Sequence, residues 1–74
     1  MPYASTAALP ASVRHHLPLA AQEIYREAFN HAWLTYAYRS NREQICHRVA
    51  WAAVKRAFHK EEDGLWYRTA AAFP

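Results

Sequence analysis

Residues 49–55, with the sequence VAWAAVK, are apolar at every position except the last. A helix that is apolar on nearly all sides is normally buried on most of them. A chain of 74 residues offers little other protein to bury such a helix. The segment therefore predicts one of two arrangements. Either the rest of the chain wraps around this helix, or part of the helix contacts a partner.

The length and composition allow one small domain and exclude several protein classes. Cys46 is the one cysteine, so neither a disulfide framework nor a zinc cluster is expected. Three Trp, five Tyr and three Phe supply the large side chains that a small core requires. No apolar run approaches the ~20 residues of a transmembrane helix, and no signal peptide is recognisable. We therefore expect a compact cytoplasmic protein that is not embedded in a membrane.

Two Leu-Pro pairs mark the beginnings of helices, since proline is favoured at the first helical position and excluded further in. Pro10 predicts a short first helix that ends before Pro18. Pro18 opens a second helix, which is expected to run to about Tyr38. Apolar residues recur from Ala21 to Tyr36 with the spacing of a wide amphipathic stripe.

A third helix is predicted from Asn41 to His59 or Lys60. Ser40 and Glu43 have the spacing of a capping box, which indicates a helix beginning there. Because the connection is short, the second and third helices should form an antiparallel hairpin. The third helix has two apolar stripes, one of small residues expected to face the second helix and one of bulky residues. The small stripe comprises Cys46, Val49, Ala50, Ala53 and Ala57, and the bulky one Trp51, Val54 and Phe58.

The end of the chain predicts a turn at Gly64 followed by a short strand over 65–68. We expect this strand to pair with the extended segment around Tyr3, so that Tyr3 and Trp66 cover the bulky stripe. The predicted fold is mainly α, with one short helix, two long helices in a hairpin, and a two-stranded sheet that pairs the termini. The domain should span residues 1–68, and 69–74 should form a flexible tail.

These landmarks, taken in order, resemble the ChaB family of small bacterial proteins over residues 1 to about 66. The matching positions are Met1, Pro2, Tyr3, Leu9, Pro10, Val13, Leu17, Pro18, Ala21, Gln22, Ile24, Tyr25, Ala28, Phe29, Asn30, Ala32, Trp33, Tyr36, Glu43, His47, 49–55, Lys60 and Trp66. The resemblance implies three helices with a small sheet, no catalytic residues, and regulation of a membrane sodium/calcium–proton antiporter. The chain departs from the family pattern in a shorter loop between the long helices, in Cys46, and in its apolar tail.

Neither catalysis nor a metal or other cofactor is expected from the polar residues. Cys46 and His47 have the residue types of a nucleophile and a base, but neighbours on a helix diverge by about 100°. The five histidines lack a spacing that would bring several ligands together. His47 is instead expected to form a hydrogen bond across the helix hairpin. Asn30 is expected to cap a backbone group, for instance in the first segment.

Five residues of the third helix form a basic strip and are the candidate partner surface. They are Arg48, Lys55, Arg56, His59 and Lys60. The net charge is +3, which suits an acidic partner without requiring one. Two hypotheses follow: a non-catalytic regulator that binds a protein partner, as the resemblance implies, or a small nucleic-acid-binding module that holds phosphates. The sequence does not favour any particular oligomeric state.

Overall fold

A computed structural model describes residues 2–69. The chain forms a short 3-10 helix, three α-helices and two strands, which confirms the mainly helical fold with a small sheet. In chain order these are the 3-10 helix Thr6–Ala8, α1 Ala11–Arg14, α2 Leu19–Thr35, α3 Arg42–Ala57, β1 Phe58–Lys60 and β2 Trp66–Arg68. None of the helices in this range has the length and apolar composition needed to cross a membrane.

Both proline-based predictions of helix starts are confirmed. Pro10 and Pro18 are the N-cap residues of α1 and α2, immediately before the first helical residue. The predicted end of α2 at about Tyr38 is wrong by three residues, because α2 ends at Thr35. Tyr36 leaves the helical conformation while its backbone N–H still donates to the Ala32 carbonyl at 2.9 Å.

The predicted capping box at the start of α3 is wrong. Asn41 is the N-cap residue, and no side chain caps the helix there. Arg42, the first residue of α3, instead reaches back to the end of α2. Its guanidinium lies 3.7 Å from the centroid of the Trp33 ring and donates from Nε to the Trp33 carbonyl at 2.8 Å. The hairpin of two long helices is therefore fixed at its closed end by a cation–π contact and a hydrogen bond.

The predicted end of α3 at residue 59 or 60 is also wrong. Phe58 is already extended, and β1 begins there. The strand predicted near the end of the chain does form, but it pairs with β1 and not with the segment around Tyr3. The antiparallel register places Phe58 opposite Arg68 and Lys60 opposite Trp66.

The local hairpin forms because a short turn connects its strands. The Glu61 N–H donates to the Leu65 carbonyl, and the Gly64 N–H donates back to the Glu61 carbonyl, both at 2.9 Å. Gly64 has φ 84°, a conformation that glycine adopts without steric cost. Closing so short a loop costs less entropy than joining the two ends of the chain. The Thr69 N–H extends the pairing to the Ala57 carbonyl at 2.8 Å. The rest of the predicted tail, 70–74, lies outside the described residues.

The core lies between α2 and α3, and residues 9–17, which include α1, contribute three further buried side chains. Its buried side chains are Leu9, Val13, Leu17, Ala21, Tyr25, Phe29, Ala32, Cys46, Ala50, Val54 and Phe58. The predicted cover of Trp51 is only half correct. Trp66 packs on Trp51 with ring centroids 6.0 Å apart, whereas Tyr3 packs on Phe29 at 4.8 Å.

Candidate functional site: a groove with a basic border

An open groove of about 500 Å³ lies between α2 and α3, and we call it the α2–α3 groove. Five apolar side chains line it, namely Ile24, Ala28, Ala32, Val49 and Ala53. Glu27, His31 and Thr35 are exposed and line its α2 side. The small alanines do not span the distance between the helices, so the groove is a consequence of residue size.

The groove changes the interpretation of residues 49–55. Ala50 and Val54 are fully buried, whereas Val49 and Ala53 are half-buried and face the groove. Sequence reasoning placed Val49 and Ala53 in the contact with the second helix and missed the groove. One feature of the sequence could have indicated the groove: Ala28 and Ala32 on α2 and Ala53 on α3 are all small, so their side chains leave space between the two helices.

Three residues of the predicted basic strip lie together on α3. Arg48, Lys55 and Arg56 are exposed, and they surround the exposed Ala52 at helical spacings of −4, +3 and +4. Residues at these spacings are neighbours on a helix surface. We call the three cations the basic patch. Val49 precedes Ala52 by three residues, so the patch borders the groove on its α3 side.

The other two residues of the predicted strip are not on the helix. His59 and Lys60 lie on β1, where successive side chains point to opposite faces. The Nε2 atom of His59 is hydrogen-bonded to the Glu61 carboxylate, a contact that is an ion pair when the imidazole is protonated, and its Nδ1 lies 3.2 Å from the Thr69 hydroxyl. Of the two ion pairs within residues 2–69, the other joins Arg26 to Glu23, so neither involves the basic patch.

His47 forms the predicted hydrogen bond across the helix hairpin. Its Nδ1 is hydrogen-bonded to the hydroxyl of Tyr25, a fully buried residue of α2. Burial raises the pKa of Tyr25 far above its usual value, so the hydroxyl keeps its proton and donates it. Burial also lowers the pKa of His47, which favours the neutral imidazole that accepts this bond.

Cys46 is not positioned as a nucleophile. The side chain is fully buried beside His47 in sequence, and burial raises the pKa of its thiol. A thiol with a raised pKa holds little reactive thiolate at neutral pH. In the described part of the chain, no group of three or more His, Cys, Asp and Glu side chains is placed to hold a metal ion.

Asn30 performs the backbone-capping role expected from the sequence. Its side-chain oxygen accepts from the Tyr3 N–H at 2.8 Å, and its amide nitrogen donates to the Tyr3 carbonyl at 2.9 Å. Gln22 acts similarly further along α2, donating to the Leu17 carbonyl at 2.8 Å. These polar residues of α2 therefore hold the first segment against the hairpin and are structural.

Comparison with known proteins identifies relatives over nearly the whole chain. The ChaB family model matches residues 9–69. The Escherichia coli K12 protein named "Putative cation transport regulator ChaB" is 46% identical to this chain. The alignment covers 92% of this chain and 97% of the Escherichia coli protein. The Shigella flexneri protein of the same name matches equally well. An NMR solution structure of a protein described by that name superposes on this chain with a TM-score of 0.81 and 45% sequence identity. The match covers 93% of this chain and 100% of the chain in the solved structure. The chain belongs to the ChaB family.

Proposed function

We propose that this protein is a non-catalytic regulator that acts by binding a protein partner, and that the partner is a membrane sodium/calcium–proton antiporter. The observation that carries the proposal is the 46% identity, over 92% of this chain, to proteins named as cation transport regulators. The matching fold of a solved relative, with a TM-score of 0.81, supports the same assignment.

The chemistry of the described side chains supports binding over catalysis. The one cysteine is buried and keeps its proton, and the adjacent His47 is occupied by the Tyr25 hydroxyl. The exposed features are instead a groove lined by apolar side chains and a patch of cations. Such surfaces are suited to recognising another macromolecule.

We further propose that the partner surface includes the five residues of the basic strip: Arg48, Lys55, Arg56, His59 and Lys60. Three of them form the basic patch, while His59 and Lys60 extend the surface onto β1. The site of action would be the cytoplasmic side of the membrane. There the protein would meet the loops of the antiporter without entering the bilayer.

Antiport in everted membrane vesicles provides the test. Vesicles that contain the antiporter and a pH-sensitive dye report proton release when sodium or calcium is added. Adding the purified protein should change the initial rate in a saturable manner. Vesicles without the antiporter are the control for dye and leak effects. An unchanged rate at saturating protein concentration would contradict the proposal.

A nucleic-acid-binding module is the second candidate, and the basic patch is the observation that favours it. Phosphates could contact Arg48, Lys55 and Arg56, which take part in neither ion pair described for residues 2–69. Tyr67 is exposed and available for stacking, whereas Trp51 is packed between Tyr25 and Trp66. A gel shift at about 50 mM salt tests this candidate, because phosphate-driven affinity is greatest at low salt. No shift under that condition would exclude it.

A further inference from the structure

We infer that the α2–α3 groove, together with the basic patch, is a docking site for an acidic amphipathic helix. The apolar side of that helix would lie in the groove, and its acidic side would face Arg48, Lys55 and Arg56. The inference rests on the proposed function, because it names the surface and the partner chemistry through which the regulator would act.

The dimensions of the groove suit a short helix. It follows α2 from Ile24 to Thr35, and eleven steps of 1.5 Å give a length of about 17 Å. A partner helix of roughly three turns would match this length. Ala28, Ala32 and Ala53 allow close approach, while Ile24 and Val49 provide larger apolar contacts. Helices that bind in grooves present apolar residues at spacings of three and four, and these residues would contact the apolar side chains that line this groove.

The charges at the borders of the groove determine which helix fits. On the α3 side, Ala52 is exposed between the three cations, so an approaching backbone meets no large side chain at their centre. Arg56 follows Ala53 by three residues and is therefore adjacent to the groove floor. Carboxylates along one side of the partner would face this border without competing with an ion pair already formed among residues 2–69.

The α2 border fixes the orientation of the partner. Glu27 is the acidic residue among the groove-lining side chains, and it is exposed beside His31. A helix whose acidic side faced α2 would meet the Glu27 carboxylate, whereas the opposite orientation avoids it. The two borders therefore discriminate between the two ways of laying an acidic helix in the groove.

The probe for this site is a synthetic, fluorescently labelled amphipathic peptide. Leucines at helical spacing form its apolar stripe, and glutamates occupy one flank. Two further peptides carry lysines in place of the glutamates or the same residues in scrambled order. Binding is followed by fluorescence anisotropy, and the contacted surface is mapped by amide chemical-shift changes on the whole protein. The acidic peptide should shift residues of both the groove and the basic patch, and neither control should do so.

Charge reversals on the protein test the orientation. The double variant Arg48→Glu/Arg56→Glu should weaken the acidic peptide about tenfold or more, since two favourable border contacts become repulsive. Glu27→Lys should strengthen binding by a few fold through the same border electrostatics. Glu62→Lys has the same charge change as Glu27→Lys but lies in the β1–β2 turn, so it should change affinity far less.

Filling the groove gives an independent test. Ala28→Leu should reduce binding at least about tenfold, with amide spectra confirming that the fold is retained. If this substitution disturbs the fold, the half-buried Ala53 provides an alternative position, as Ala53→Ser with a smaller loss. Retained affinity in a folded groove-filled variant would overturn the inference.

Other occupants give different results. If the lysine peptide binds as tightly as the glutamate peptide, charge recognition by the patch is wrong. If the acidic peptide leaves the groove amides unchanged while a DNA duplex or vesicles of anionic lipid shift the patch, the inference is overturned in favour of that ligand. If the double variant no longer binds the peptide but still changes antiport as the parent protein does, the groove and the basic patch are not the surface through which the regulator acts. Regulation of the antiporter would then stand, but through a different surface.

Discussion

The side-chain amide of Asn30 pairs with both backbone polar groups of Tyr3, accepting from its N–H at 2.8 Å and donating to its carbonyl at 2.9 Å. One residue of α2 thus binds both backbone polar groups of Tyr3, as a residue of a neighbouring strand would. The Tyr3 ring is thereby placed on Phe29, with ring centroids 4.8 Å apart. These two hydrogen bonds fix the position of the segment around Tyr3, which was the role expected of the sheet between the termini.

Replacing Asn30 by alanine should therefore destabilise the protein. Both hydrogen bonds are lost, and the partly buried Tyr3 backbone groups lose their partner, which costs about 1–3 kcal/mol in the free energy of unfolding. Urea unfolding followed by circular dichroism measures the change. Asn41→Ala is the matched control, because the Asn41 side chain makes no capping hydrogen bond. Equal effects of the two substitutions would show that the Asn30–Tyr3 pairing contributes nothing.

Trp51→Ala should cost about 3 kcal/mol, at the lower end for a large aromatic residue because Trp51 is only half-buried. The ring meets Tyr25 edge-on with centroids 5.3 Å apart and packs against Trp66. Urea unfolding is followed by circular dichroism, because the substitution removes one of the tryptophans on which a fluorescence measurement would depend. Leu34→Ala removes an exposed apolar side chain and should change stability by less than about 0.5 kcal/mol. A loss below about 1 kcal/mol for Trp51→Ala would place the ring outside the core.

The helices were predictable because their signals are local. Pro10 and Pro18 fix helix starts through covalent geometry, and the stripe from Ala21 to Tyr36 needs only the helical period. The end of α3 was missed because the sequence continues without a glycine or proline between Ala57 and Lys60. There the helix stops because Phe58 is buried in the core as the first residue of a strand, and pairing with the second strand satisfies its backbone.

The candidate site was only half predictable. The charges of Arg48, Lys55 and Arg56 are visible in the sequence, and helical spacing places them on one surface. The groove beside them depends on the separation of two helices and on which small residues face each other across it. That separation is set by bulkier contacts elsewhere, such as Tyr25 and Phe29, and no local pattern specifies it.

The stability of the protein should decrease as the pH falls below neutral, in part through His47. Burial lowers the pKa of His47 in the folded chain below its ordinary value of 6.5, while Glu43 opposes this more weakly. Between the two pKa values the unfolded chain binds more protons, so the contribution is present above pH 6.5 and is lost as the pH falls through the folded value. Urea unfolding at several values between about pH 7 and pH 5 measures this slope.

His47→Gln should reduce that slope, because the substituted residue does not titrate. His15→Gln removes an exposed histidine of the same type and is the matched control, which should leave the slope close to that of the parent chain. A parent slope that survives unchanged in His47→Gln would assign the pH dependence to other groups.

The thiol of Cys46 should react slowly in the folded protein. The residue is fully buried on α3, and burial raises its pKa, so both access and thiolate formation are suppressed. A disulfide reagent that releases a coloured thiolate should react roughly a hundredfold or more slowly with the native chain than with the chain in urea, since reaction requires local opening. The urea-unfolded chain serves as the internal control for the intrinsic rate of the thiol. Rapid native-state modification with stability unchanged would show that the packing of α3 against α2 opens readily around this residue, contrary to its complete burial.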